Sequence, residues 1–486
     1  MTSHLLGVNI MYDDKMREEC GIVGIFNHPR ATLHTVLMLH ALQHRGQEGA
    51  GIVTFSSKKG FCAHRGPSLV SGNFPPHVVE NLLGRSAIGH VRYSTSGDNS
   101  PENATRNLQP FFAETAFGGF GLAHNGNLTN ADKLRMKLIN QGSIFHSTSD
   151  TEVIFHLFAE YHRRGQICRI VEGLKKVRGS YSLVAMNNHE LIGIRDPFGI
   201  RPLVLGKFEG SFILASETCA LDSLRNPEDT TAKAEFVREI EPGEIVIISE
   251  NGISNLKPFK EQSPRLCVFE HIYFARPDSI IDGQTLYDVR VKMGRNLANE
   301  YPAEADVVIA IPDSGVPAAL GYAMEAKIMY ALGLIRNHYV GRTFIDPLQA
   351  IRELRVAMKL NPIISVLKGK RVIVVDDSVV RGTTGRVIIR MIREAGAKEI
   401  HFRLSSPPIT YPCFYGIDTP QQNLLLAHRL GSVEKMRKFL GVDSLGFLSL
   451  NGTYQAIGKG LRDDKCPQVC DACFSGDYPT PVPLHK

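Results

Sequence analysis

The fold of the second half of the chain is decided by residues 372–385, which read Val372-Ile-Val-Val-Asp-Asp-Ser-Val-Val-Arg-Gly-Thr-Thr-Gly385. Four apolar residues predict a buried strand that ends at two acids, Asp376 and Asp377. A turn rich in serine, glycine and threonine follows, and its N–H groups and hydroxyls suit a phosphate, while paired carboxylates suit sugar hydroxyls and a divalent ion. An acidic pair alone could also cap a turn, with Gly382 supplying a positive φ. The complete strand, loop and helix context favours the phosphate site.

Strands and helices alternate around this stretch. The patterns predict helices over 287–300, 317–326 and 384–395, and strands over 306–311, 371–375 and 399–404. Such alternation is typical of right-handed βαβ units, which build a parallel sheet and bind ligands beyond the carboxyl ends of its strands. The second half is therefore expected to be an α/β domain.

The first half has a different pattern, in which short strands are separated by turns. Strands are expected over 20–26, 86–91, 119–123, 181–187, 191–195, 212–216 and 244–248, and helices over 31–44, 151–163 and 167–177. This mixture predicts a layered α+β domain. The stretch 251–264 is polar and lacks a pattern, so we expect one domain over 20–250 and another over 265–486. Residues 1–19 are expected to be an appendage.

Composition restricts the class of protein. A chain of 486 residues has room for two to four domains, and 43% apolar with 21% charged residues excludes disordered and fibrous classes. Lys plus Arg (55) exceeds Asp plus Glu (49) by six, so the charge indicates neither nucleic acid nor membrane as partner. The acidic N-terminus and the lack of an 18-residue apolar run favour the cytosol. Nine cysteines, an odd number, favour thiolate chemistry over a disulfide framework.

Residues 372–385 resemble the 5-phosphoribosyl-1-pyrophosphate (PRPP) signature of type I phosphoribosyltransferases. The resemblance implies that Asp376 and Asp377 bind the ribose hydroxyls and Mg²⁺. It also implies a cradle for the 5′-phosphate, formed by Ser378, Arg381, Gly382, Thr383 and Thr384. A second turn, Ile309-Ala-Ile-Pro-Asp-Ser-Gly-Val-Pro317, resembles the pyrophosphate loop of that family, so Ser314 is a candidate Mg²⁺ contact.

Five motifs in the first half carry a second resemblance. They are Cys20-Gly-Ile-Val-Gly24, Leu42-Gln-His-Arg-Gly46, His90-Val-Arg-Tyr-Ser-Thr95, His124-Asn-Gly-Asn127 and Ser149-Asp-Thr-Glu152. A cysteine in an apolar strand is by default a buried core thiol. In this order, however, the motifs resemble the glutaminase domain of N-terminal-nucleophile (Ntn) glutamine amidotransferases. That resemblance implies an Ntn-hydrolase fold with αββα layers.

The Ntn resemblance implies that Cys20 is the nucleophile. An Ntn enzyme uses the free α-amine of its first residue as general base, and an α-amine titrates near pH 7.7–8.0. Cys20 has only an amide while residues 1–19 are attached. The resemblance therefore implies that residues 1–19 are a propeptide, removed by self-cleavage between Glu19 and Cys20.

Further roles follow from the same resemblance. Asn125 and Gly126 are expected to form the oxyanion hole. Arg92 is expected to pair with the α-carboxylate of glutamine and Asp150 with its α-ammonium. Arg45 and Gly46 are expected to shape a neighbouring loop.

The C-terminal stretch Cys466-Pro-Gln-Val-Cys470-Asp-Ala-Cys473 suits a metal, and spacing alone leaves zinc and an iron–sulfur cluster open. The blocks 267–279 and 411–420 resemble the cluster-bearing branch of the amidophosphoribosyltransferases. That resemblance implies a [4Fe–4S] cluster held by Cys267, Cys413, Cys470 and Cys473. Cys466 is then left over, and the remaining thiols, Cys62, Cys168 and Cys219, are expected to be ordinary.

The order of glutaminase domain, PRPP domain and C-terminal cysteines resembles the amidophosphoribosyltransferase family from Cys20 to about Tyr478. This implies glutamine-dependent amidation of PRPP to 5-phosphoribosylamine, with release of glutamate and pyrophosphate, as the committing step of purine synthesis. It also implies a homotetramer that purine nucleotides inhibit. Glucosamine-6-phosphate synthase and asparagine synthetase share only the first domain, and PRPP-binding transcription regulators share only the signature.

One stretch departs from the family pattern. Residues 339–344 resemble its mobile loop, and Arg342, Arg352 and Lys359 are expected to bind PRPP. The usual Gly-Val-basic triplet, however, reads Arg355-Val-Ala357. The missing cation leaves three alternatives open: weaker contact with pyrophosphate, replacement of that cation by Arg355, or a catalytically degraded relative.

Overall fold

The computed structural model describes residues 20–93, 101–115, 118–161, 165–226, 231–337 and 358–483. The expected propeptide and the residues Arg342, Arg352, Arg355 and Ala357 lie outside these ranges. Within them, no helix is long and apolar enough to cross a membrane.

Thirteen strands form the first half. They are β1 (Gly21–Ile25), β2 (Gly49–Ser56), β3 (Gly60–Gly66), β4 (Ser86–Arg92), β5 (Phe111–Thr115), β6 (Gly118–Leu128), β7 (Gly179–Met186), β8 (Glu190–Arg195), β9 (Val204–Phe208), β10 (Ser211–Ala215), β11 (Glu235–Glu239), β12 (Ile245–Ser249) and β13 (Gly252–Leu256). They build a seven-stranded sheet, β11-β9-β10-β1-β4-β2-β3, and a six-stranded sheet, β13-β12-β8-β7-β6-β5, both antiparallel.

Helices accompany both sheets. They span Ala31–Ala41, Val70–Asn73, Pro76–Asn81, Pro101–Arg106, Ala131–Asn140, Asp150–Glu160, Gln166–Leu174 and Cys219–Asp222, with a 3₁₀ turn at Gln43–Arg45. One hydrophobic core lies between the two sheets. A second core packs helices on the outer face of the seven-stranded sheet, and a third packs helices on the outer face of the six-stranded sheet. The first half is therefore an αββα sandwich, as expected.

Strand β1 shows why its sequence is apolar throughout. Ile22 belongs to the core between the two sheets, whereas Val23 and Ile25 belong to the core on the helical side. A strand buried on both faces reads as a continuous apolar run. Gly24 lets the sheets approach closely, since a Cβ atom there would lie 2.7 Å from Val184 Cγ1 of the opposite sheet.

Strand β13 is an element that the sequence pattern does not predict. It lies in the stretch expected to be patternless, and it pairs with β12 from Gly252↔Ser249 to Leu256↔Ile245. As the last strand of its sheet it has mostly exposed or half-exposed side chains. An edge strand of this kind needs no apolar alternation, so its polar sequence does not reveal it.

The second half is built on a parallel sheet in the order β17 (Val307–Ala310), β20 (Arg371–Asp376), β21 (Glu399–Leu404) and β22 (Ser444–Phe447). Helices span Leu286–Glu300, Val316–Ala326, Ile364–Leu367, Thr383–Glu394, Leu426–Leu430, Val433–Leu440, Leu450–Ala456 and Ala472–Ser475. A π-helical turn covers Glu270–Phe274 and a 3₁₀ turn covers Gln422–Leu424. The expected α/β class is confirmed, and β22 is a further strand that the sequence pattern did not predict.

Three two-stranded pairs complete the half. They are β14 (Leu266–Cys267) with β23 (Val469–Cys470), β15 (Ile280–Ile281) with β16 (Gln284–Thr285), and β18 (Leu334–Arg336) with β19 (Leu360–Pro362). The first pair is parallel and joins the C-terminal tail to the segment that begins the second half.

Candidate functional site

A small cavity of the first half brings together four of the five residues predicted to handle glutamine. Its lining consists of Cys20, Arg92, Tyr93, Asn107, Gln109, His124, Gly126, Ser149 and Asp150. Cys20 directly precedes β1, Arg92 ends β4, Gly126 lies near the end of β6, and Asp150 begins the helix Asp150–Glu160. Residues far apart in sequence therefore meet at one site.

Cys20 is buried in this cavity, where its thiol donates a hydrogen bond to the carbonyl oxygen of Tyr93 at 3.3 Å. Burial raises the pKa of the Cys20 thiol to about 11, although the hydrogen bond and the charge of Arg92 oppose the change. A thiol with this pKa is protonated at neutral pH. It can act as a nucleophile only if a base removes its proton.

Two charged side chains flank the thiol, and each is 5% exposed. Arg92 donates to the carbonyl oxygen of Ala104 at 3.3 Å. Asp150 accepts the N–H of Leu128 at 3.0 Å and begins a helix whose N-cap, Ser149, accepts the N–H of Thr151. The cavity thus offers one fixed cation and one fixed anion, the two charges that an α-amino acid requires.

Gly126 occupies a position that only glycine fits. Its φ is +146°, and a Cβ atom there would lie 2.2 Å from the carbonyl oxygen of Ser180. The neighbouring Asn125 does not line the cavity, but it is fully buried. Neither polar atom of its side chain has a hydrogen-bond partner within the part of the chain that the structure describes. A buried amide without partners is costly, and this favours a ligand atom as its partner.

Sequence reasoning missed a hydrogen-bond network in the wall of the cavity. Gln109 accepts the N–H of His124 at 2.8 Å and donates to the hydroxyl of Thr151 at 3.0 Å. The same hydroxyl lies 3.0 Å from Nδ1 of His124. Gln109 stands in a loop with no periodic pattern, so only the assembled site reveals its role.

The predicted phosphate site lies at the carboxyl end of β20. Asp376 is the last residue of that strand, and the helix Thr383–Glu394 begins after Gly382, whose φ is +80°. Asp376, Asp377 and Ser378 are all buried. The hydroxyl of Ser378 donates to Asp377 at 2.7 Å.

The second strand-end turn meets the acidic pair, as the parallel sheet requires. Ser314 donates a short hydrogen bond to Asp377. A Cβ atom on Gly315 would lie 2.6 Å from the carbonyl oxygen of Val375, so this glycine permits the close approach. Arg336, which sequence reasoning missed, pairs with Asp313 of the same turn.

Lys359 is described by the structure and directly precedes β19. Its carbonyl oxygen accepts the N–H of Asn337, which continues the pairing of β18 with β19. Arg342 and Arg352 lie outside the described residues, so the structure does not place them.

The four predicted cluster ligands are buried together. Cys267, Cys413, Cys470 and Cys473 are 5–8% exposed. Cys267 and Cys470 are register partners in the parallel pair of β14 and β23. Burial, together with the neighbouring thiol of Cys413, raises the pKa of Cys470 to about 12. Such crowded, desolvated thiols fit a positively charged group that several thiolates share.

Cys466 does not join these thiols. It is exposed and donates to the hydroxyl of Ser263 at 3.3 Å. Each of the nine cysteines is a free thiol.

Arg45 has a role that differs from the expected loop. Its guanidinium is 1% exposed and donates to Glu270 at 2.5 and 3.2 Å, and to Glu217 through a short contact. Because Glu270 belongs to the second half, Arg45 joins the two halves. Gly46 does pack at the site, since a Cβ atom on it would lie 2.6 Å from the backbone nitrogen of Arg92.

Comparison with known proteins agrees with both halves. Residues 97–223 match the family model described as glutamine amidotransferase domain, and residues 278–405 match the one described as phosphoribosyl transferase domain. The amidophosphoribosyltransferase of Rhizobium etli is 50% identical over 96% of this chain and 93% of its own length. That of Bacillus subtilis is 46% identical over 96% of this chain and 95% of its own length. The chain belongs to the amidophosphoribosyltransferase family.

A solved structure extends the likeness to three dimensions. The glutamine PRPP amidotransferase of B. subtilis, complexed with ADP and GMP, matches with a TM-score of 0.87 at 45% identity and covers 96% of this chain and 98% of its own. Amidophosphoribosyltransferases transfer the amide nitrogen of glutamine to PRPP in the first step of purine biosynthesis. Membership over the whole chain excludes glucosamine-6-phosphate synthase, asparagine synthetase and PRPP-binding regulators, which share only one half.

Proposed function

We propose that Cys20 carries out the first half-reaction of this family once residues 1–19 have been removed. The buried thiol has a pKa of about 11 in the uncut chain, so it needs a base. A new α-amine at Cys20, titrating near pH 7.7–8.0, supplies that base next to the thiol. This observation favours the propeptide proposal over a thiol that is active in the intact chain.

The cavity supports a specific pose for glutamine. Arg92 binds the α-carboxylate and Asp150 the α-ammonium, which directs the side-chain amide toward Cys20. The sulfur attacks the amide carbon, a thioester forms, and the amide nitrogen leaves as ammonia with the proton that the α-amine carried. Asn125 and the Gly126 N–H stabilise the oxyanion, and water then releases glutamate and restores the thiol.

The second half accepts the ammonia. Asp376 and Asp377 hold the ribose hydroxyls of PRPP. The loop 378–385 holds its 5′-phosphate, with Arg342, Arg352 and Lys359 as further contacts. Ammonia forms the new bond at the anomeric carbon, and pyrophosphate leaves.

The residues present fit Mg²⁺, since Asp377 gathers the hydroxyls of Ser314 and Ser378 into one oxygen-rich group. The phosphoribosyltransferase domain by itself suggests use of Mg²⁺. When bound, the ion supplies positive charge for the departing pyrophosphate.

The four buried thiols can hold a [4Fe–4S] cluster, since Cys267, Cys413, Cys470 and Cys473 belong to one core of the second half. Four thiolates suit zinc as well. We propose the iron–sulfur cluster because the blocks that carry these cysteines resemble the cluster-bearing branch of the family.

We also propose the domain boundaries, the oligomeric state and the inhibitors of this protein. We assign the glutaminase domain to 20–250 with the edge strand β13 appended, and the phosphoribosyltransferase domain with its cluster-binding tail to 265–486. We propose a cytosolic homotetramer. Leu33 and Leu37 lie one turn apart on a helix and are 41% and 38% exposed, so they offer apolar surface for a contact between subunits. Inhibition by purine nucleotides is proposed because the B. subtilis relative was solved with ADP and GMP.

The meeting of Cys20, Arg92, Gly126 and Asp150 in one cavity carries this proposal, and separating the half-reactions tests it. Cys20→Ala should abolish synthesis of phosphoribosylamine from glutamine, yet keep it with ammonium at alkaline pH, since the described residues that line the cavity of this thiol all belong to the first half. Asp377→Ala should lose both activities.

Cys168→Ala is the matched control, because it removes an exposed thiol of the same domain and should change neither rate. If folded Cys20→Ala failed with ammonium as completely as with glutamine, the proposed division of labour would be wrong.

A further inference from the structure

A short segment of the second domain packs directly on the proposed oxyanion hole. A Cβ atom on Gly416 would lie 3.2 Å from both Cα and the carbonyl carbon of Gly126. The φ of Gly416 is +108°, a conformation that side chains other than glycine rarely adopt. The backbones of the two glycines are therefore in close contact.

Three side chains of the glutaminase domain hold this segment in place. Asn127, one residue after Gly126, donates to the carbonyl oxygen of Phe414 at 2.9 Å. Ser180, the register partner of Asn127, donates to the carbonyl oxygen of Tyr415 at 2.7 Å. Arg201 donates to that same oxygen at 2.7 and 2.5 Å.

The contacts of Ser180 and Arg201 are buried, and that of Asn127 is half-buried. Ser180 and Arg201 are fully buried, and Tyr415 is 1% exposed. Hydrogen bonds in such a setting have little water to replace them, so their loss leaves buried polar groups unpaired. The segment is therefore a rigid support for the β6 backbone at Gly126.

We propose that Phe414–Gly416 positions the oxyanion hole, so that the second domain holds the glutaminase site in its active geometry. The proposal rests on the assignment of Asn125 and Gly126 to that hole. It gives these residues a positioning role, since none of them is placed on the substrate. Cys413, one of the four buried thiols, directly precedes the segment and accepts the N–H of Tyr415 at 3.3 Å.

Gly416→Ala tests the proposal because its new methyl group displaces Gly126. The kcat of glutamine hydrolysis should fall about tenfold to a hundredfold, since complete loss of one oxyanion donor costs about 10²–10³ in kcat. The KM for glutamine should change little, because Arg92 and Asp150 stay in place. Alkylation of Cys20 by iodoacetamide and synthesis with ammonium should stay within about twofold, since neither uses the hole.

Gly252→Ala is the matched control. Its φ is +102°, close to that of Gly416, but a Cβ atom there meets no heavy atom within 4 Å among the described residues. It carries the same backbone strain without the contact and should leave kcat unchanged. The proposal would be overturned if the two variants had equal kcat. It would also be overturned if kcat, alkylation and ammonium-dependent synthesis all fell in proportion in Gly416→Ala alone.

A second variant keeps the test decisive if Gly416→Ala does not fold. Asn127→Ala removes the donor to Phe414 without adding atoms, and Asn127→Asp places an acceptor against that carbonyl oxygen. The kcat of glutamine hydrolysis should be highest in the parent protein, lower in Asn127→Ala and lowest in Asn127→Asp, while ammonium-dependent synthesis is retained. An unchanged kcat in both variants contradicts the proposed positioning.

Asn125→Ala distinguishes a failure of the positioning role from a failure of the oxyanion-hole assignment on which that role rests. If it leaves kcat unchanged, the oxyanion-hole assignment is wrong, and the positioning role is overturned with it. If it lowers kcat while Gly416→Ala and the Asn127 variants do not, only the positioning role is overturned.

Discussion

Replacing Arg45 by methionine should destabilise the junction of the two domains. Arg45 is 1% exposed and binds two carboxylates, Glu217 and Glu270, that are themselves fully buried. Removing one partner of a buried ion pair costs about 3–5 kcal/mol, because the remaining charge stays buried without compensation. Arg45→Met leaves two buried carboxylates behind, but His44 still pairs with Glu217 and Arg201 still lies 3.6 Å from Glu270, so we expect a loss of about 3 kcal/mol, at the lower end of that range.

The loss should depend on pH in a defined direction. Burial alone raises the pKa of Glu217, but Arg45 and His44 outweigh it and hold that pKa well below its ordinary value. In the parent protein this carboxylate therefore contributes stability above about pH 4.3, and the contribution is lost as the pH falls. Without Arg45, burial dominates and the pKa rises, so the variant loses stability as the pH increases. The difference between parent and variant should be larger at pH 8 than at pH 5.

Urea denaturation, followed at both pH values by fluorescence and by glutaminase activity, measures this difference. Lys175→Met is the matched control, because it breaks an exposed pair with Glu172 and should have no measurable effect. Adding Glu270→Gln to Arg45→Met should recover part of the lost stability, because it removes the negative charge of one buried carboxylate that has lost Arg45 as its partner. A loss below about 1 kcal/mol, or one that is equal at both pH values, would refute the reasoning.

Three further predictions concern maturation and the thiols. Intact mass of active protein should show a chain that begins at Cys20, and a fully active chain that retains residues 1–19 would contradict the Ntn mechanism. The proposed cluster predicts bound iron and brown visible absorption, and Cys470→Ser should remove both and leave the tail poorly folded, since ligation would join that tail to the second domain. Cys466→Ser should keep both, as expected for an exposed thiol outside the buried group, and the opposite result would show that the ligand set is wrong.

Much of the fold could be read from local patterns. The strand that ends at Asp376, the loop that follows and the helix after Gly382 are contiguous in sequence, and apolar periodicity and glycine reveal such units directly. Strand β1 was predicted for the same reason, because burial on both faces makes its sequence apolar throughout. Seven strands of the main sheets were not among those expected: β2, β3, β5, β9, β11, β13 and β22. Strand β13 shows one reason, since it is an edge strand with mostly exposed or half-exposed side chains.

The sequence by itself indicated which chemistry to expect: a candidate cysteine nucleophile, a candidate phosphate loop and a set of thiols, each within a short motif. Only the tertiary structure decided how the two halves cooperate. The pairing of Arg45 with Glu270 joins residues 225 positions apart, and the contact of Asn127 with Phe414 joins residues 287 positions apart. Such contacts follow from how the sheets and loops pack, so no local pattern in the sequence reveals them.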